Sequence, residues 1–306
     1  MSGRILVGTA SWTEPSLIAS GRFYPPEART PEQRLRFYAH QFRVVEVDSS
    51  YYGLPAPRTA ALWAERTPAG FVFDVKAFSL FTHHPTPPRS LPADLRAALP
   101  PAAREKAHLY ERDVPSEVRD ELFRRFSLAL EPLAAAGKLG VVLFQFPPWF
   151  LPGRASLRSL AWLRERLSRY LVAVEFRAPP WFDAHHQRDT LAFLAEHELA
   201  HVAVDETQGT RASVLPVVAV TAPVAVVRFH GRNRAAWAKR GATVAEKYDY
   251  LYTEQELADW VPRIRHMAEE AGAVHVIMNN CREDKAVVNA RQLAALLDVP
   301  RSAPAR

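Results

Sequence analysis

A single cysteine, Cys281, stands in a chain of 306 residues. That scarcity excludes an intramolecular disulfide and any zinc site built on paired cysteines, and it fits a reducing compartment. No apolar stretch approaches the roughly 20 residues of a membrane span. The N-terminal MSGRIL runs directly into a strand-like segment, so no signal peptide is expected and a cytoplasmic protein is. There is no Gly-rich phosphate loop, no HExxH and no GxSxG. Internal repeats are absent, as is low-complexity sequence beyond one Pro-rich stretch.

What is present is a series of eight short apolar runs, each turning polar at its C-terminal end: ILVGTASW, VVEVDSSYYG, FVFDVKAF, GVVLFQFPPW, VAVEFRAPPW, HVAVDET, VVRFHGRN and VHVIMNNC. They are too short for helices and continuous rather than alternating, as expected of strands buried on both faces. Helical patterns separate them: Pro31 to Gln41, a segment ending at Pro68, one from Ser116 closing at Gly137, then LRSLAWLRERLSRY, RDTLAFLAEHE, TEQELADWVPRIRHMAEEAG and NARQLAALLD. Pro262 marks either the first turns of the penultimate helix or a kink in it. Thr207 to Pro223 is too broken to promise a helix. Alternating strands and helices with right-handed crossovers predict a parallel sheet, and eight units predict closure into a TIM-type (β/α)8 barrel. The whole chain, 1–306, reads as one domain. Residues 79–115 form a loop insertion over the barrel mouth, and 300–306 a disordered tail.

In such a barrel the chemistry collects at the C-terminal ends of the strands. Side chains alternate with period two, so Glu175 and Arg177 share one side of their strand. Glu46 pairs in the same way with Asp48, Asp74 with Lys76, and Arg228 with His230. Opposite charges in close quarters shift pKa values and supply acids and bases. Glu175, Glu46 and His230 are therefore the catalytic candidates. Lys76, Arg177 and Arg228 are candidates for holding anionic groups, Gln145 and Asn280 for polar contacts, and Trp12, Tyr51 and Trp181 for pocket walls. Buried ion pairs also fill barrel centres for structural reasons, and Asp74 reads that way. Glu46, Glu175, Asp205 and His230 together resemble carboxylate and imidazole sets that bind divalent metals, so a divalent metal is the candidate cofactor.

The net charge of +6 invites a nucleic-acid reading, yet Arg154, Arg158, Arg164, Arg166 and Arg169 are interleaved with acids along one outer helix and its approach. A solvated face is the default. Two classes of function follow. One is an enzyme using acid/base chemistry on a small polar or phosphorylated substrate, of hydrolase, lyase or isomerase type. The alternative is a nucleic-acid-associated protein or metal-dependent phosphodiesterase or nuclease.

Several of these motifs occur together in a recognisable order. Gly8, Thr9 and Trp12, then Phe23, Tyr24 and Pro25, VEVDSSYYGLP, FVFDVKAF with Thr82 and His83, GKLGVVLFQFPPWF, VEFRAPPW, RFHGRN, YDYLYTEQELADW and NNCREDKAVVNA span nearly the whole chain. In this the sequence resembles the YecE-like family, also called domain of unknown function 72. The resemblance implies a TIM-type barrel with a polar pocket at the strand C-termini, and no established reaction. It adds Ser49 and His83 to the pocket candidates. Two departures stand out: Ser11 lies where such sequences usually place glycine, and Glu283, Asp284 and Lys285 lie where smaller residues are common.

Overall fold

The computed structural model describes residues 2–210, 213–239 and 241–300. The tail expected at 300–306 lies outside the described residues from 301 onward.

Eight parallel strands close into one barrel in sequence order. They are β1 (Arg4–Ala10), β2 (Val44–Val47), β3 (Val72–Lys76), β4 (Leu139–Phe146), β5 (Leu171–Phe176), β6 (Leu199–Asp205), β7 (Val224–Phe229) and β8 (Ala273–Met278). Crossover helices form the outer ring: α1 (Pro31–Gln41), α2 (Pro57–Glu65), α3 (Ser116–Ala135), α4 (Arg154–Arg166), α5 (Gln187–Glu196) and α6 (Val261–Glu270), with α7 (Lys285–Leu296) after the last strand. No helix is found among the described residues between β6 and β7, as the broken pattern from Thr207 to Pro223 predicts. No helix is long and apolar enough to cross a membrane among the described residues.

Local chemistry explains the boundaries. Thr30 and Gln33 form a reciprocal cap that starts α1, with Pro31 pre-set for the first turn. The stretch expected as one helix from 253 to 272 is two. A short helix, Glu254–Ala258, is capped by Thr253, and Pro262 falls in the first turn of α6, where its missing N–H costs nothing. Strand two ends at Val47, and the polar residues after it coil into a short helix, Ser49–Tyr52. Residues 79–115 are a series of helical turns rather than an irregular loop. Leu91, Leu95, Leu99 and Leu109 sink into the same core as the barrel's outer layer, and Asp94 and Glu111 pair with Arg125 and Arg119 of α3.

Inside the barrel the layers follow the period-two rule. Toward the N-terminal end, Val141, Ala173, Ala200, Val202, Val224 and Val226 make an apolar plug, joined by Leu6, Val44, Val72 and Ile277. Asp74 lies within this interior, accepting from Val141 N at 3.0 Å and sitting 2.9 Å from His275 Nδ1. Gly140 leaves the room for it: a Cβ there would stand 2.2 Å from Asp74 Oδ1. Above these layers most inward positions turn polar, with Ala10 and Ile277 remaining apolar beside Glu46 and Arg228.

Candidate active site

At the C-terminal mouth the strands bring five charged side chains into one alternating series. Arg228 donates to Glu46 through Nε and Nη2 at 2.8 and 2.6 Å, and through Nη1 to Glu175 at 2.5 Å. Arg177 reaches Glu175 at 3.4 Å and donates to Glu206. The order is therefore Glu46, Arg228, Glu175, Arg177, Glu206, with charges alternating in sign. Glu175 also accepts from Gln145 Nε2 at 2.6 Å and lies 2.9 Å from His230 Nε2. Asn279 Nδ2 sits 2.8 Å from His230 Nδ1. An amide donating to Nδ1 leaves the ring hydrogen on Nε2, pointing at Glu175.

Position in the series sets each proton affinity. Burial alone raises the pKa of Glu175, but Arg228, His230 and Arg177 outweigh it and hold the carboxyl well below the ordinary range. The carboxyls at the two ends have one close guanidinium each. Burial pushes Glu46 up to about 8 against the pull of Arg228, and raises Glu206 against that of Arg177. Burial also pulls His230 down to about 4, so its imidazole is neutral.

Around this sealed series lies a half-exposed rim. Lys76 Nζ is 3.5 Å from Asp48 Oδ1 and 4.8 Å from the centre of the Tyr51 ring. Burial opposes the charge on Lys76, yet Asp48 helps to raise its pKa above the ordinary value. The His84 ring is 5.4 Å from Tyr51, and burial draws its pKa down to about 4. Tyr248 approaches His230 edge-on at 5.8 Å, and Trp237 lies 5.8 Å from the Arg177 guanidinium. Asp48 Oδ1 is buried and has no hydrogen-bond partner.

The sequence-derived candidates separate into three groups. Glu46, Lys76, Gln145, Glu175, Arg177, Arg228 and His230 do converge, with Tyr51 at the rim. A second group points elsewhere. Asp205 faces the helix layer, held by Trp260 Nε1 and Tyr252 Oη at 2.7 Å each and by both ends of Arg232. Asn280 is fully buried, donating to Tyr250 O and to Asn289. Trp181 stacks on Phe176 and donates to Phe150 O, a core residue rather than a pocket wall. The third group lines separate clefts: Trp12 and Ser49 a small one beside Trp63, and His83 one facing Glu111.

In each case strand parity names the inward residue: Glu206 rather than Asp205, and Asn279 rather than Asn280. The metal set proposed from sequence therefore loses Asp205, and Arg228 lies between the two glutamates. Among the described residues no three His, Cys, Asp or Glu side chains are placed to hold a metal ion. Asp48 was legible as an inward neighbour of Glu46. Tyr248, on the long β7–β8 connection, had no strand period to reveal it, nor did His84. The outer arginines behave as a solvated face: Arg164, Arg166 and Arg169 pair with Glu198, Asp120 and Glu131.

A (β/α)8 barrel whose mouth carries a buried, fully paired charge series defines the class. The chain belongs to the family described as protein of unknown function DUF72, whose pattern matches residues 6–306. It is 30% identical over 302 residues to the UPF0759 protein YunF of Bacillus subtilis, covering 97% of this chain and 96% of that protein. The crystal structure of a DUF72 family protein from Enterococcus faecalis, EF0366, superposes with a TM-score of 0.79 at 26% identity, covering 99% of both chains. That of a DUF72 family protein from Thermotoga maritima, TM1631, gives 0.74 at 29% identity, over 96% of this chain and 99% of the other.

Proposed function

We propose that the barrel mouth is the active site of an enzyme that performs acid/base chemistry on a small, neutral, polar molecule. The observation that carries this is Asp48 Oδ1. In a site where every other buried carboxylate oxygen accepts a hydrogen bond, this one accepts none and has only the longer ion-pair contact with Lys76 Nζ at 3.5 Å. A buried acceptor without a donor costs free energy that a substrate hydroxyl or amide recovers on binding. Asp48 then takes the proton, and the adjacent ammonium of Lys76 offsets charge that develops on the substrate.

The charge balance favours a neutral substrate over a phosphorylated one. Lys76, Arg177 and Arg228 each already face a carboxylate, so none stands ready for a phosphate. Glu175 accepts from four side chains and exposes nothing to solvent. Its role is to position Arg177, Arg228 and His230. A buried ion series of this size is not needed for stability, since apolar replacements of such networks are often neutral or better.

A thermal-shift screen of neutral sugars, polyols and amides against their phosphorylated counterparts tests the reading. We expect saturable stabilisation by a neutral compound. Asp48→Asn and Lys76→Met are expected to abolish it while keeping Tm within roughly 2 °C of the parent. Equal stabilisation of both variants, or a response confined to phosphorylated compounds, refutes it. Glu175→Gln, by contrast, is expected to cost about 3 kcal/mol or more in denaturant unfolding, because it removes the carboxylate that Arg228 and Arg177 share and leaves each buried guanidinium with one carboxyl partner.

A further inference from the structure

The charge that the mouth lacks is found next to it. His83 is the C-cap of a 3-10 turn and adopts a left-handed conformation, φ 59°. That conformation sends two consecutive imidazoles to different places. His84 faces Tyr51 at the mouth, whereas His83 lies 3.2 Å from Glu111 in a neighbouring cleft. The cleft opens between residues 79–115 and helices α3 and α4, and it has two adjoining lobes of about 370 and 480 Å³. Trp149, which is 56% exposed, lies between cleft and mouth: its indole donates to His83 O at 3.3 Å, and its ring is 6.0 Å from that of His84.

The lining has two characters. Phe81, Leu163 and Trp162 give the inner lobe an apolar wall. The polar residues are cationic in balance: Arg112, Arg119 and Arg158 against one carboxylate, Glu111, which is already 2.6 Å from Arg119. Arg119 Nε is buried with no hydrogen-bond partner. Arg112 and Arg158 have no ion-pair partner among the described residues, unlike Arg164, Arg166 and Arg169 on the same outer surface. The first turn of α4 supplies Ala155, and no side chain caps that helix end. Its free N–H groups add to the positive potential.

We infer that this cleft binds a small organic anion, its flat apolar body against Trp162 and its phosphate or carboxylate among Arg112, Arg119 and Arg158. Guanidinium forks match such oxyanions, and the Trp face suits a planar partner. The cleft is an anion subsite beside the mouth, with a lining of its own that shares no residue with the place of the neutral substrate.

Calorimetric titration of the whole protein with phenyl phosphate, with phenol as the neutral control, tests this. Phenyl phosphate is expected to bind at least tenfold more tightly than phenol. Arg112→Ala/Arg158→Ala is expected to weaken it by roughly tenfold or more, and Lys76→Met to leave it within about twofold. Both changes lie at rim or surface side chains, and a circular-dichroism melt verifies that each variant is folded. Equal affinity for phenol, or unchanged affinity in the arginine double variant, overturns the assignment. So does loss of phenyl phosphate binding in Lys76→Met, which puts the anion at the mouth. Because the titration reads binding without turnover, failure here leaves the response of Asp48→Asn to neutral compounds as an independent test of the mouth.

Discussion

Ser11 shows how one side chain departs from what its backbone asks for. Its φ is 67°, the left-handed region in which a Cβ is strained by about 1 kcal/mol. The hydroxyl recovers part of that by accepting from Thr13 N at 3.0 Å. Ser11→Gly is expected to stabilise by about 0.5 kcal/mol, a rise of roughly 1 to 2 °C in Tm by calorimetry. A fall in Tm removes the strain argument. Residue identities at the mouth were legible to the extent that parity was followed. Glu46, Asp48, Lys76, Glu175, Arg177, Arg228 and His230 all obey it, while Asp205 and Asn280 lie against their own strand's period. Trp181 and Trp12 were unreadable for another reason: an aromatic residue after a strand end suits a core as well as a pocket, and only packing decides between them.

At the scale of elements, the short apolar runs identified all eight strands because burial on both faces leaves no other pattern. Helix ends were less legible where short-range capping overrode periodicity, as Thr253 does in dividing the segment before β8. The seam between β1 and β2 carries a constraint that hydropathy does not display. Gly8 is paired with Val44, and a Cβ on Gly8 would stand 2.0 Å from Val44 O. Because the obstacle is backbone rather than a flexible side chain, Gly8→Ala must spread the two strands. The expected cost is about 2 to 3 kcal/mol by denaturant unfolding. A variant as stable as the parent shows that the seam is looser than its geometry implies.

For the whole molecule, buried titrating groups set the response to pH. His84, His201 and His230 are each lowered, chiefly by burial, from 6.5 to about 4. An unfolded chain protonates them below about 6.5 and the folded one does not, so their contribution is intact above that pH and is lost as pH falls toward 4. Glu175, held below its ordinary 4.5, adds a loss at still lower pH. Glu46 runs the other way: its pKa is raised to about 8, so stability is lost as pH rises from 4.5 through that value, and Glu206 shifts in the same direction. These three histidines, with His83 lowered in the same direction by burial, against two glutamates leave a net rise up to about pH 6.5 and a decline above it. Denaturation midpoints measured from pH 4.5 to 8.5 are expected to peak between about 6 and 7. A flat profile contradicts the buried neutral imidazoles.

The hydrogen on His230 Nε2 lies between two side chains that are both closed to solvent. A proton so enclosed is shielded from exchange with water, so its magnetic resonance signal is a marker built into the molecule. Sharp and slowly exchanging, it reports an intact charge series; broadened or shifted by a ligand, it places that ligand at the mouth.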